Sequence, residues 1–159
     1  MPYPFSFPFG TNSLQKLVVA RHGDDERLDL TDLGRKQARQ ISKALAEQIE
    51  PDDVVTIIAS DTSRTYQTAR IIAEEIGHDP GAVITSRTLA ENCSDPVVSL
   101  EVIEEKLNDN GEETTFLVVV GHEPQTDGML VKLGYGARPC DKGEANLITS
   151  EDYSVERLP

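Results

Sequence analysis

From Gln15 onward, short apolar runs alternate with stretches of helical periodicity, and this alternation limits what the chain can fold into more than any other feature. Leu17-Val18-Val19-Ala20 reads as a buried strand. Thr31 then caps a helix whose apolar stripe is Leu33, Ala38, Ile41, Leu45 and Ile49, and Pro51 is its stop. Residues 54–59 give a second strand. The helix after it carries Tyr66, Ala69, Ile72, Ala73 and Ile76 on one face and ends on Gly77. Residues 83–89 predict a weaker third strand. Asp95-Pro96 opens a helix with Val97, Leu100, Ile103 and Leu107, and Asn110-Gly111 turns the chain into residues 115–120, the most β-like stretch, with Val118-Val119-Val120 as a central strand. A last helix spans residues 125–133, and residues 147–150 and 153–158 predict closing strands, antiparallel at an edge. Strands and helices alternating at this spacing imply right-handed βαβ units. The expected fold is α/β: a three-layer α/β/α sandwich with a mostly parallel central sheet.

A chain of 159 residues is long enough to bury one sizeable core without staples, so residues 14–159 read as a single domain. Residues 1–13 stand apart. Tyr3, Phe5, Phe7 and Phe9 lie between prolines there, which excludes a helix. The segment reads either as an arm for a partner or for self-association, or as an apolar strap along the domain surface. No run approaches the roughly 18 apolar residues of a membrane span, and the start lacks the pattern of a signal peptide, so a cytoplasmic protein away from membranes is expected. Cys93 and Cys140 have no Cys-x-x-Cys spacing and read as two reduced thiols, with a disulfide as the unsupported alternative.

The formal net charge is −13, from 28 acidic and 15 basic residues, so the far field repels nucleic acid and anionic lipid. Any phosphate chemistry must therefore concentrate a few cations in one pocket. In a parallel sheet, ligands bind beyond the carboxyl ends of the strands, and the residues there are unusual. Arg21-His22-Gly23 follows the first strand, Ser60 and Arg64 the second, Glu91 the third, and Gly121-His122-Glu123-Pro124 the fourth. Singly, each has an ordinary structural reading. Together, two arginines, two histidines and a carboxylate converge on one edge of a sheet in a protein short of positive charge.

The blocks LVVARHG at 17–23, LTDLGRKQA at 30–38, IIASDTSRTYQTA at 57–69 and VVVGHEP at 118–124 resemble the histidine phosphatase superfamily, which includes the phosphoglycerate mutases. The short chain is most similar to the small phosphohistidine phosphatases of the SixA type. The resemblance implies a phosphoglycerate mutase-like fold and a phosphatase in which His22 attacks phosphorus and forms a phosphohistidine that water later hydrolyses. It places Arg21, Gly23, Ser60, Arg64 and His122 around the phosphate, with His122 as second pocket histidine and Gly121 allowing close backbone approach. Physical chemistry agrees, since Arg21 and Arg64 offer planar donor forks to phosphoryl oxygens. Their charge should also lower the pKa of His22 and keep its nitrogen nucleophilic.

Glu91 matches the position of the family's general acid and reads equally well as a solvated loop carboxylate. Asp24, Asp25 and Glu26 compete for the role but read as a solvated acidic turn. Ser60 touches phosphate, orients Arg64 or caps the following helix. The polar phosphate contact that mutases place shortly after Arg-His-Gly has no counterpart in residues 24–30, which weakens a mutase reading. Ser99 and Asn146 stand six residues beyond the two cysteines, excluding a Cys-x₅-Arg site, and no Gly-Lys pair exists for a P-loop. Thr126 stands where a second zinc histidine would follow His122, and His78 reads as a surface turn residue, so neither metal nor cofactor is expected. The expected substrate is a phosphorylated small molecule or a phosphohistidine protein. The alternatives are mutase-type phosphoryl transfer and an inactive phosphate-binding or interaction module of the same fold.

Overall fold

A computed structural model describes residues 13–90, 95–109, 113–150 and 154–159. The strand β1 (Lys16–Arg21) leads into a two-residue-stranded hairpin, β2 (Asp25–Glu26) and β3 (Asp29–Leu30), and then α1 (Asp32–Ala46). The chain continues through β4 (Val55–Ser60), α2 (Ser63–Ile76), β5 (Ile84–Ser86), α3 (Pro96–Asp109), β6 (Phe116–Gly121), α4 (Gln125–Lys132), β7 (Ala145–Thr149) and β8 (Val155–Leu158).

The main sheet has the order β5-β4-β6-β1-β7-β8. Its first four strands are mutually parallel, and β7 and β8 each run antiparallel to their predecessor in that order. Both faces are covered, which is why the strands read as nearly continuous apolar runs. On one face Val18, Ala20, Ile57 and Ala59 pack with Ile41 and Leu45 of α1 and Ala69 and Ile72 of α2. On the other, Leu17, Val19 and Ile58 pack with Leu100 and Ile103 of α3 and Met129 and Leu130 of α4. The three-layer sandwich expected from the periodicity is the one observed.

Three local expectations need correction. Leu33 lies outside the apolar stripe of α1 and is 54% exposed, because at the second position of the helix its side chain points off the sheet. Helix α1 ends at Ala46, five residues before Pro51, with Glu47 as its C-cap. The third strand is only Ile84–Ser86, since Arg87–Leu89 closes into a 3₁₀ turn whose Thr88 amide donates to the Ser86 side chain. The closing strands pair antiparallel at one edge as expected, the first of them starting two residues earlier, at Ala145. The aromatic arm lies outside the described residues but for Ser13, as do Cys93, Asn110-Gly111 and Tyr153. Cys140 is a free, buried cysteine. Among the described residues no helix is long and apolar enough to cross a membrane.

Candidate active site

The carboxyl ends of β1, β4 and β6 are level with one another, so the residues that follow them meet. His22 leaves β1 with its amide donating to the Gly121 carbonyl at 3.2 Å, while its own carbonyl accepts from Gly143 N at 2.9 Å. Its neighbour Gly23 donates to Thr68 Oγ1 of α2 at 3.2 Å. A Cβ on Gly23 would fall 2.5 Å from the Gly34 carbonyl, and one on Gly34 would fall 2.0 Å from the Asp24 carbonyl. Two facing glycines let the first turn of α1 press directly on the Arg-His-Gly turn. Thr31 caps that turn, accepting from Gly34 N and donating to Asp24 Oδ2 at 2.6 Å.

His22 is 4% exposed and His122, just beyond β6, is 2% exposed. Their ring centroids are 5.1 Å apart at 61°. His22 Nδ1 lies 2.8 Å from the Gly23 carbonyl, which can only accept, so the ring proton sits on Nδ1 and Nε2 keeps its lone pair. His122 Nε2 is shared by the hydroxyls of Ser60 at 3.3 Å and Thr62 at 3.1 Å. Its Nδ1 is buried and has no hydrogen-bond partner among the described residues, as is true of Arg21 Nε. Arg21 Nη1 donates to the Cys140 carbonyl at 3.1 Å. Arg64, in the first turn of α2 and 7% exposed, brings its Nε to 3.8 Å from Asp25 Oδ2.

Both imidazoles are held neutral. Burial is the first cause of the lowered pKa of His22, with Arg64 and Arg21 adding to it against the Gly23 carbonyl and Asp25. Burial thus outweighs the arginines that the sequence alone points to. Burial also leads for His122, lowered to about 4, with the neighbouring His22, Arg64 and Arg21 behind it. Cys140 is no rival nucleophile, since burial pushes its thiol up to about 12.

Arg21, His22, Gly23, Ser60, Arg64 and His122 therefore come together as the sequence places them. Glu91 lies outside the described residues; the carbonyl of the residue before it, Ala90, accepts from Gln125 Nε2 at 3.1 Å. Ser60 accepts from Thr62 N at 3.3 Å, while Thr62 itself stands at the helix cap position. The missing Cβ of Gly121 faces the Thr126 methyl group at 3.1 Å, so this glycine makes room for the start of α4.

Asp25 is the main correction. It is not a solvated turn residue: its side chain is 18% exposed, with Oδ1 2.8 Å from Lys142 Nζ and 4.0 Å from His22 Nδ1. Burial pushes its pKa up, but the Lys142 hydrogen bond and the charges of His22, Lys142 and Arg64 outweigh this and leave it lowered. The sequence missed Lys142, Thr62 and the 140–144 segment altogether. Gly143 beside a cluster of charges was the one hint, and nothing local ties that segment to a strand 120 residues earlier. Among the described residues no group of three or more His, Cys, Asp or Glu could hold a metal ion.

Residues 17–116 match the family described as Histidine phosphatase superfamily (branch 1). The fold is shared with the protein histidine phosphatase SixA complexed with tungstate, at 18% identity and a TM-score of 0.70 over 90% of this chain and 96% of that one. A mycobacterial glucosyl-3-phosphoglycerate phosphatase complexed with VO3 aligns at 17% identity, TM-score 0.62, over 91% of this chain and 97% of the other. Phosphoglycerate mutase from Plasmodium falciparum aligns at 21% identity, TM-score 0.56, over 93% and 91%. No curated protein sequence matches the chain.

Proposed function

Because this chain belongs to the histidine phosphatase superfamily, we propose that it is a phosphatase working through a covalent phosphohistidine on His22. The observation that carries the reading is the His22 ring itself: buried, neutral, proton fixed on Nδ1 by Gly23, and its Nε2 lone pair free beside two arginines. That is a nucleophile prepared before substrate arrives. Arg21 and Arg64 bind the phosphoryl oxygens and stabilise the charge that spreads over them in the transition state. His122 donates to the phosphate, and the Ser60 and Thr62 hydroxyls orient its ring.

Nucleophilic attack by Nε2 needs no metal, and the reading is of a metal-independent enzyme with no cofactor. Glu91 is proposed as the acid that protonates an ester leaving group. A phosphohistidine substrate has less need of one, since imidazole departs readily when protonated. The substrate is a phosphorylated small molecule or a phosphohistidine protein. SixA, a protein histidine phosphatase, supports the second, and the mycobacterial phosphatase supports the first. Hydrolysis is favoured over mutase transfer by the absence from residues 24–30 of the polar phosphate contact that mutases place there, and turnover over mere phosphate binding by the complete set of Arg21, His22, Arg64 and His122.

The test is hydrolysis of an aryl phosphate and of a phosphohistidine peptide by wild type and His22→Ala with a chelator present. Turnover by wild type and its loss in the mutant support the mechanism, and the ratio of the two rates assigns ester or phosphoramidate preference. Wild type inert toward both from mildly acidic to neutral pH overturns the reading in favour of a binding module.

A further inference from the structure

Asp25 is placed by the β2–β3 hairpin. The β2–β3 hairpin turns through Arg27 and Leu28, both left-handed at φ 51° and 77°, a conformation that side chains other than glycine rarely adopt. The hairpin is bolted at its base: Leu30 N donates to Gln67 Oε1 at 2.8 Å, and Asp29 Oδ1 accepts from Ser63 Oγ at 2.6 Å and Gln67 Nε2 at 3.0 Å. A strained, anchored turn thus carries a carboxylate to within 4.0 Å of the His22 ring, on the Nδ1 side, away from the nucleophilic Nε2.

We propose that Asp25 is the counter-charge for the phosphorylated His22 ring, a positioning residue that keeps the Nδ1 proton in place while phosphorus is on Nε2. The inference rests on His22 being the nucleophile. In the first step the Nε2 lone pair forms an N–P bond, and the bond from phosphorus to the leaving group breaks. Its electron pair departs with that group, which takes a proton from solvent or a pocket acid. With phosphorus on Nε2 and hydrogen on Nδ1, the ring now carries one positive charge. In the second step water attacks phosphorus, the N–P bond breaks, the pair returns to Nε2 and the proton of the water passes to solvent. The ring is neutral again.

The Nδ1 proton decides the second step. With it the leaving nitrogen departs as neutral imidazole; without it, as imidazolate, a far poorer leaving group. The surroundings of the ring mostly oppose a cation. Arg21 from β1, Arg64 from α2 and burial disfavour it, and the neutral His122 beyond β6 does not help. What favours it, beside the negative charge of the phosphoryl group itself, is the Gly23 carbonyl and Asp25. At 4.0 Å Asp25 does not replace Gly23 as hydrogen-bond acceptor; it acts through charge. Lys142, 2.8 Å from the same oxygen, partly cancels that charge and so sets its strength.

The measurement is the decay of phosphohistidine on the intact protein, labelled with phosphoramidate and followed by ³¹P NMR from pH 6 to 10, in wild type, Asp25→Asn and Lys142→Met. Wild-type decay should slow above the pH at which Nδ1 loses its proton. Asp25→Asn should move that break down by about one unit or more, leaving decay roughly tenfold slower on the alkaline side. Lys142→Met should move it up. If wild type forms phosphohistidine and both variants follow its pH profile, Asp25 only anchors the hairpin and the inference fails while the proposed function stands. If wild type turns over substrate and no phosphate is found on His22, the nucleophile reading fails and takes the inference with it.

Discussion

The two ends of the sheet treat polar groups in opposite ways. At the end where β4 and β6 begin, no buried side-chain polar atom among the described residues is left without a partner. Thr56 and Thr114 share a buried hydrogen bond at 2.6 Å, Thr115 Oγ1 donates to Asp53 Oδ1 at 2.8 Å, and Val54 N donates to Thr115 Oγ1 at 2.8 Å. Lys16 Nζ closes onto the Gln48 carbonyl at 2.7 Å. At the end where those strands finish, His122 Nδ1 and Arg21 Nε are buried without partners among the described residues. Two imidazoles there are held neutral, one of them with a pKa near 4. One end uses its polarity to hold the sheet together. The other keeps polarity in reserve, at a cost in stability, for an anion with several acceptor oxygens.

The largest effect belongs to His22. His22→Ala should abolish turnover of an aryl phosphate, a fall of about 10⁴-fold in kcat or more, with the melting temperature retained. A mutant that still turns over would move the nucleophile elsewhere. Next in size is the acid sensitivity of the reserved end. The unfolded chain titrates His122 near 6.5 and the folded chain near 4, so the unfolded state binds the extra proton between those values. Stability should therefore fall as the pH drops below about 6.5 and level off below 4, by about 3 kcal/mol in all. Denaturant titrations at pH 7, 5 and 4 read this directly, and His122→Asn should flatten the dependence. Over the same range kcat should hold through pH 6.5, because the His22 pKa is itself lowered.

Arg64→Lys should lower kcat/KM about 10²-fold, since an ammonium keeps the charge and loses the planar fork. A change under threefold would mean Arg64 supplies field alone. The smallest effect belongs to the opposite end. Thr114→Val removes one hydroxyl of the buried pair with Thr56 and should cost about 1 kcal/mol by denaturant unfolding, with kcat and KM unchanged. Loss of activity there would show the two ends to be coupled.

What the sequence made legible was what neighbouring residues decide. Apolar runs of strand length, the Thr31 cap and the left-handed Gly77 at the end of α2 depend on residues a few positions away, and all are observed. The site was legible for a related reason: in a parallel sheet the residue after each strand has one place to go, so His22, Arg64 and His122 could be assigned to a common edge before any contact was known. The exposure of Leu33 follows from where the sheet lies beneath α1, which periodicity alone leaves open. Asp25 was misread because its partners are Lys142, more than a hundred residues on, and an arginine on another helix. No local pattern marks an acidic residue as turned inward. The close pressing of Gly23 on Gly34 had a visible sign in the glycine of LTDLG, but its meaning required the helix and the turn to be in the same place.

The bracing of His22 by the 140–144 segment bears on when a molecule being synthesised acquires activity. A nascent chain released only as far as α4 already contains all four sequence blocks, and β1, β4, β5 and β6 can pair without the rest. Yet it lacks the Gly143 amide that holds the His22 carbonyl, the Cys140 carbonyl that holds Arg21 and the ammonium beside Asp25. Those arrive only when β7 slides in along the free side of β1. The His22 imidazole is thus translated more than a hundred residues before the segment that completes its setting. A product that stops after α4 would carry the four sequence blocks without this bracing, and removal of β7 and β8 would take away the pairing with β1 that seats the 140–144 segment against His22.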